Sequence, residues 1–228
     1  MVSRDSGAKA ALICGSVAYD TILLFPDRFK QHILPDKLHI LNVSFLVPEM
    51  RREFGGCAAN IAYTLHLLGD TPLPMAAAGH DCGPYRERLA ALGISVEHIK
   101  IIDEAFTAQA FITTDLDDNQ ITAFHPGAMQ YAHLNRVGDA GGKAALGIVA
   151  PDGRQAMIEH AAQFAAAGIP FIFDPGQGLP MFSGAELEKF IEQARWVAVN
   201  DYEWGMLAQK TGLTMAEVAR RVEALVVT

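Results

Sequence analysis

Apolar positions along this chain follow two periods, and the change from one to the other marks its elements. Ala11–Ile13, closed by Gly15, is a short apolar run ending at a turn, the pattern of a buried strand. Between Thr21 and Phe54 the pattern loosens. Ile22 to Phe25 is followed by Pro26, a charged stretch, Pro35 and then Leu38–Val47, which predicts two or three strands joined by loops and no helix of normal length. Ala58–Leu68 places Ile61, Leu65 and Leu68 at helical spacing, so it reads as a helix with one buried face. Leu73–Ala78 predicts a strand, Tyr85–Leu92 a helix closed by Gly93, and Val96–Ile102 a further strand. Ala108–Thr114 and Gln120–Phe124 flank the turn-forming run Asp115-Leu116-Asp117-Asp118-Asn119, which predicts a hairpin.

Beyond the hairpin the alternation is regular. Strands are expected at Leu146–Val149, Pro170–Phe173 and Trp196–Val199, and helices at Arg154–Ala167, Gly184–Ala194 and Asp201–Gln209. A short helix near Thr214–Val222 leads into the apolar Ala224–Thr228. Strands alternating with helices of about 10–15 residues predict one α/β domain over 1–228, with a mostly parallel sheet covered on both faces. The segments 21–54 and 106–125 break that alternation. Two strand-rich pieces far apart in sequence can pair as a small second sheet, a lid over the strand ends where ligands of such folds bind. The last residues read as a buried strand, so the natural protein is expected to continue past Thr228.

Composition narrows the class of function. Of 228 residues, 50% are hydrophobic and 19% charged, as in an ordinary globular protein, while the net charge of −8 argues against nucleic acid or an anionic membrane as partner. Cys14, Cys57 and Cys82 are odd in number and contain no C-x-x-C pair, so a reducing cytoplasm is the expected setting. Met1 to Asp5 carries no leader-like apolar stretch, and no run approaches the roughly 18 apolar residues that cross a bilayer.

Three groups of residues could carry chemistry. In Gly55-Gly56-Cys57-Ala58-Ala59-Asn60, two glycines before a helix allow close backbone approach to a ligand, and the Asn60 amide can both donate to and accept from a hydroxyl. A plain glycine turn with a solvated Asn fits the same six residues. Asp20 can accept hydrogen bonds from two neighbouring hydroxyls, or cap a turn. Asn200 and Glu203, three apart at the start of a helix, can share a hydrated cation or form a capping box. Other features carry less. His125-Pro126-Gly127 reads as a turn leaving the hairpin, and Asp174-Pro175-Gly176 ends a strand, where the Asp could lie near the phosphates or cap a loop, as strand-end Asp residues commonly do. Gly141-Gly142-Lys143 lacks P-loop spacing. No G-x-G-x-x-G, H-E-x-x-H or G-x-S-x-G occurs, and Gly15-Ser16-Val17-Ala18 does not supply the glycine turn of a dinucleotide-binding oxidoreductase.

With Ala62, Gly69 and Gly79, the Gly55-Gly56 group resembles the N-terminal signature of the ribokinase-like (phosphofructokinase B-type) carbohydrate kinases. The resemblance implies a three-layer α/β/α sandwich with a β-lid, and transfer of the γ-phosphoryl of ATP to a hydroxymethyl group of a sugar or nucleoside. It implies that Asp20, Gly55, Gly56 and Asn60 hold the sugar. It also implies that Asn200 and Glu203, as an N-x-x-E motif, serve the Mg²⁺–phosphate region. The family's second signature, D-x-x-G-A-G-D, is absent from these residues, so the general base and most of the adenine pocket are expected beyond Thr228. The texture of Thr107–Met129 resembles bacterial adenosine-kinase-type members, which favours adenosine or ribose as acceptor. Phe111 or Phe124 on the lid could supply an apolar wall for a base, or simply pack the lid. A homodimer through open lid edges is expected from the same resemblance. The alternative from another class is a non-catalytic sugar- or nucleoside-binding protein.

Overall fold

The computed structural model describes residues 10–228; the reading of Met1 to Asp5 lies outside them. The central sheet has seven strands: β1 (Ala10–Cys14), β4 (Pro72–Gly79), β5 (Ile99–Ile102), β8 (Ala144–Val149), β9 (Phe171–Phe173), β10 (Trp196–Val199) and β11 (Ala224–Val227). Their order is β11-β10-β9-β8-β1-β4-β5, and every pairing is parallel. Parallel neighbours need crossovers, and the helices provide them on both faces.

Each face has its own core. Leu12, Cys14 and Phe173 point to one face, which packs under α4 (Arg154–Ala166), α5 (Gly184–Gln193), α6 (Asp201–Thr211) and α7 (Met215–Ala219). Ile13, Ala76 and Ala78 point to the other, beneath α2 (Cys57–Leu67) and α3 (Gly83–Ala91). The alternation within β1 itself sends successive side chains to opposite cores. Local signals set the helix ends. Gly93 takes φ +77 after α3, and Ser183–Glu186 and Thr214–Glu217 form capping boxes ahead of α5 and α7.

The lid is a four-stranded sheet in the order β3-β2-β6-β7, built from β2 (Ala18–Leu24), β3 (Glu49–Gly55), β6 (Ala108–Thr114) and β7 (Gln120–His125). The expected β6–β7 hairpin is present, with Asp118 at φ +59 in its turn. One expectation fails. Leu38–Val47 is not a strand: Phe29–His32 is a single helical turn (α1), Pro35–Ile40 a 3-10 helix, and 41–48 carries no strand. The partner of β2 is instead the charged Glu49–Gly55. A strand in a solvated lid needs no apolar face, so the more hydrophobic segment was not the one that paired. The apolar Ala224–Val227 does form a strand, paired with β10 along one side.

Candidate functional site

The carboxyl ends of the parallel strands form the crest of the body, and the lid rises from it. Asp20 belongs to the lid rather than to a turn after β1. It is the third residue of β2, opposite Glu53 of β3 and Ala110 of β6. Its carboxylate is half-buried, and burial, then the nearby Glu53 charge, raises its pKa. Among the described residues it accepts no hydrogen bond. It lies against Gly55, where any side chain would strike it, which explains the glycine.

Gly56 has φ +93, a conformation that strains any other residue, and an added Cβ would meet the Ser16 carbonyl oxygen at 2.6 Å and the Ala18 nitrogen at 2.7 Å. The turn is therefore wedged onto the loop after β1. Ser16 fastens it further: its Oγ accepts from the Cys57 N–H at 3.0 Å and its carbonyl from the Ala58 N–H at 2.9 Å. Two of the first amides of α2 are thus already used, which leaves less of that helix end for an anion than the sequence suggested. Asn60 is exposed on the first turn, and its side-chain amide has no partner among the described residues. At the root of the lid Asp20 lies against Gly55, and Gly56 leads directly into the helix whose first turn carries Asn60.

The two lid aromatics separate. In the strand register Phe124 shares a row with Ala110 and Asp20, whereas Phe111 shares one with Thr21 and Arg52. Adjacent rows face opposite sides, so Phe124 is on the Asp20 face and Phe111 on the other. They cannot line one wall together within this sheet.

At the other end of the crest, Asn200 and Glu203 form the capping box of α6. Asn200 Oδ1 accepts from the Glu203 N–H at 2.8 Å, and Glu203 Oε2 accepts from the Asn200 N–H at 2.9 Å. Across from them, Asp174 after β9 has its pKa raised to about 6 by burial and by the Glu203 charge. Asp152 after β8 is deeper still. It is 2% exposed, its Oδ1 accepts from the Gly153 N–H at 2.8 Å, and its Oδ2 has no partner. Burial pushes its pKa up to about 8. Burial raises the thiol of Cys57, a hydrogen bond with Ser16 opposes it, and the charges of Asp174, Asp152 and Asp20 add to the rise.

The sequence reading passed over Asp152, because an Asp just before a helix looks like a cap. Gly141-Gly142-Lys143 leads into β8 at the opposite end of the sheet from the crest, in keeping with its lack of P-loop spacing. Asp174 and Glu203 could hold a dipositive cation between them, since burial and the Glu203 charge both raise the cost of ionising Asp174. No group of three or more His, Cys, Asp or Glu among the described residues is arranged to ligate a metal directly, so such an ion would keep much of its water.

A family model for the pfkB family carbohydrate kinases matches residues 20–228. The chain belongs to the pfkB family. It is 30% identical to pfkB relatives described as nucleoside kinases from Methanocaldococcus jannaschii, over 82% of this chain, and Methanothermobacter thermautotrophicus, over 87%. The chain spans 62% of the length of each. Among solved structures, the nucleoside kinase of Burkholderia thailandensis in complex with inosine is 54% identical, with a TM-score of 0.84 over 96% of this chain and 70% of that one. The parallel sheet with a small lid sheet, expected from the alternation of strands and helices, is the ribokinase-like fold that the resemblance implied and is shared with solved relatives. Among the described residues no helix is long and apolar enough to cross a membrane.

Proposed function

We propose that the protein acts as an ATP-dependent nucleoside kinase, transferring a phosphoryl group to the hydroxymethyl group of a nucleoside. One observation carries the reading: the half-buried Asp20 carboxylate accepts no hydrogen bond among the described residues and lies against Gly55, at the turn that leads into the helix carrying Asn60. A carboxylate accepts two hydrogen bonds at once, which suits a vicinal diol, and the adjacent glycines leave room for the ring carrying it. Asn60 adds a group that can donate and accept. Phe124, on the Asp20 face and 52% exposed, would cover the base. The Burkholderia relative, solved with inosine and also with ADP-inosine, supports a purine nucleoside as acceptor.

Mg²⁺ would supply charge neutralisation at the transferring phosphates. Asp174 and Glu203 would hold its water shell, and the Asn200–Glu203 box fixes Glu203 for that purpose. The three free thiols are in keeping with a cytoplasmic protein. The wholly exposed edge strand β7 offers a route to a lid-paired homodimer.

The test is ATP consumption by the protein expressed from its complete gene, with inosine, adenosine, ribose and fructose in turn and Mg²⁺ present. Turnover with the nucleosides, abolished by Asp20→Ala, supports the reading. Turnover with ribose or fructose alone overturns the nucleoside assignment. Nucleoside binding without turnover points to a binding protein instead.

A further inference from the structure

The Gly55-Gly56 turn is held from outside the site as well as from within. Tyr85, in the first turn of α3, is 2% exposed and donates its phenolic O–H to the Gly55 carbonyl at 2.6 Å. Its ring packs against Phe54 and Tyr19, with centroids 4.8 and 5.6 Å away, so the oxygen has little freedom to move. Burial raises the pKa of this phenol, and it stays a hydrogen-bond donor at physiological pH. The neighbouring ties follow the same seam between body and lid. Tyr19 donates to the Asp81 carbonyl at 3.2 Å, and Asp81 Oδ1 accepts from the Thr107 N–H at 2.7 Å at the start of β6. The Arg52 guanidinium covers the Tyr19 ring at 3.8 Å.

We infer that Tyr85 is a positioning residue for acceptor binding. The Gly55–Gly56 peptide is planar, so holding its carbonyl toward Tyr85 also fixes the direction of the Gly56 N–H. Gly55 in turn is the residue against which the Asp20 carboxylate rests. One hydrogen bond from a body helix thereby sets both the glycine turn and the carboxylate beside it. The other ties leave the lid attached when that bond is lost, so its removal should loosen the site without detaching the lid.

This inference rests on the nucleoside reading above, and the experiment separates the two. Inosine and ATP are titrated calorimetrically, each alone, into the wild-type protein expressed from its complete gene and into its Tyr85→Phe variant, which keeps the packed ring and removes only the donor. Losing a buried hydrogen bond of this kind should weaken inosine binding by about tenfold while ATP affinity stays within about twofold. A Tyr85 that only stabilised the fold would lower the melting temperature and leave the inosine affinity unchanged, or weaken both ligands alike; either result overturns the inference. Wild-type protein that binds no nucleoside removes the functional reading itself.

Discussion

The body sheet and the lid sheet are built by opposite means. In the body, β4 is buried at all eight positions and β1 at all five, and their neighbours run parallel beneath helices on both faces. In the lid, all six residues of β7 are exposed and β3 is buried only at Gly55. Burial specifies the body. The lid keeps only a small apolar seam, Tyr19 at its root and the stacked Phe25 and Phe29 toward its tip, and adds a few directed contacts: the phenol on Gly55, Asp81 between Arg52 and Thr107, and Asp115, whose carboxylate accepts from the backbone N–H groups of Phe29, Asp117 and Asn119. A rigid platform with a lightly tethered cover suits a site that must admit a ligand and then exclude water.

The sharpest way to test that contrast is to remove one aromatic ring from each region. Phe173, fully buried and stacked on Phe190 at 4.3 Å, should cost about 3–5 kcal/mol in urea unfolding when replaced by Ala. At the seam, Gly56→Ala forces a side chain into backbone at positive φ and should cost about 3 kcal/mol with loss of inosine binding, read by the same unfolding series and by calorimetry.

Asp152 tests the body's crest through pH. With its native pKa raised to about 8 and an unfolded value near 3.9, the native state holds the proton more tightly. Stability should therefore fall as pH rises from about 4 to about 8 and level off above. Asp152→Asn should flatten that slope in urea midpoints measured across the range. The smallest effect is expected in the lid: Phe111→Ala, at a residue already 42% exposed, should change unfolding stability by about 0.5 kcal/mol or less. A loss as large as that at Phe173 would mean that the lid is held by burial after all.

The same contrast explains what could be read from the sequence. Body elements were legible because burial imposes a period: Trp196–Val199 was expected where it lies, and Arg154–Ala167 differs from α4 by one residue. In the lid, β6 and β7 were legible because turn chemistry marks the hairpin between them, whereas β3 carries no such imprint. Glu49–Gly55 is a charged strand that only its pairing with β2 reveals, while Leu38 and Leu41 stay 58% and 52% exposed in a segment that pairs with nothing. Of the candidate site, the glycines and Asp20 were visible through their spacing. Tyr85 and Asp152 were not, because a helical tyrosine and an Asp before a helix look ordinary until the chain has brought Gly55 to one and enclosed the other.

The central position of β1 has a consequence for how the protein is made. Its two neighbours come from far along the chain: Leu12 pairs with Leu73 on one side and Gly147 on the other. A ribosome adding about 5–20 residues per second needs on the order of ten seconds to travel from the first of these to the last. Throughout that interval one edge of a strand that ends up fully buried is open, and the nascent chain is most exposed to mispairing. Slowed synthesis between the hairpin and β8 would lengthen that window, and a chaperone acting there would protect the middle of the molecule.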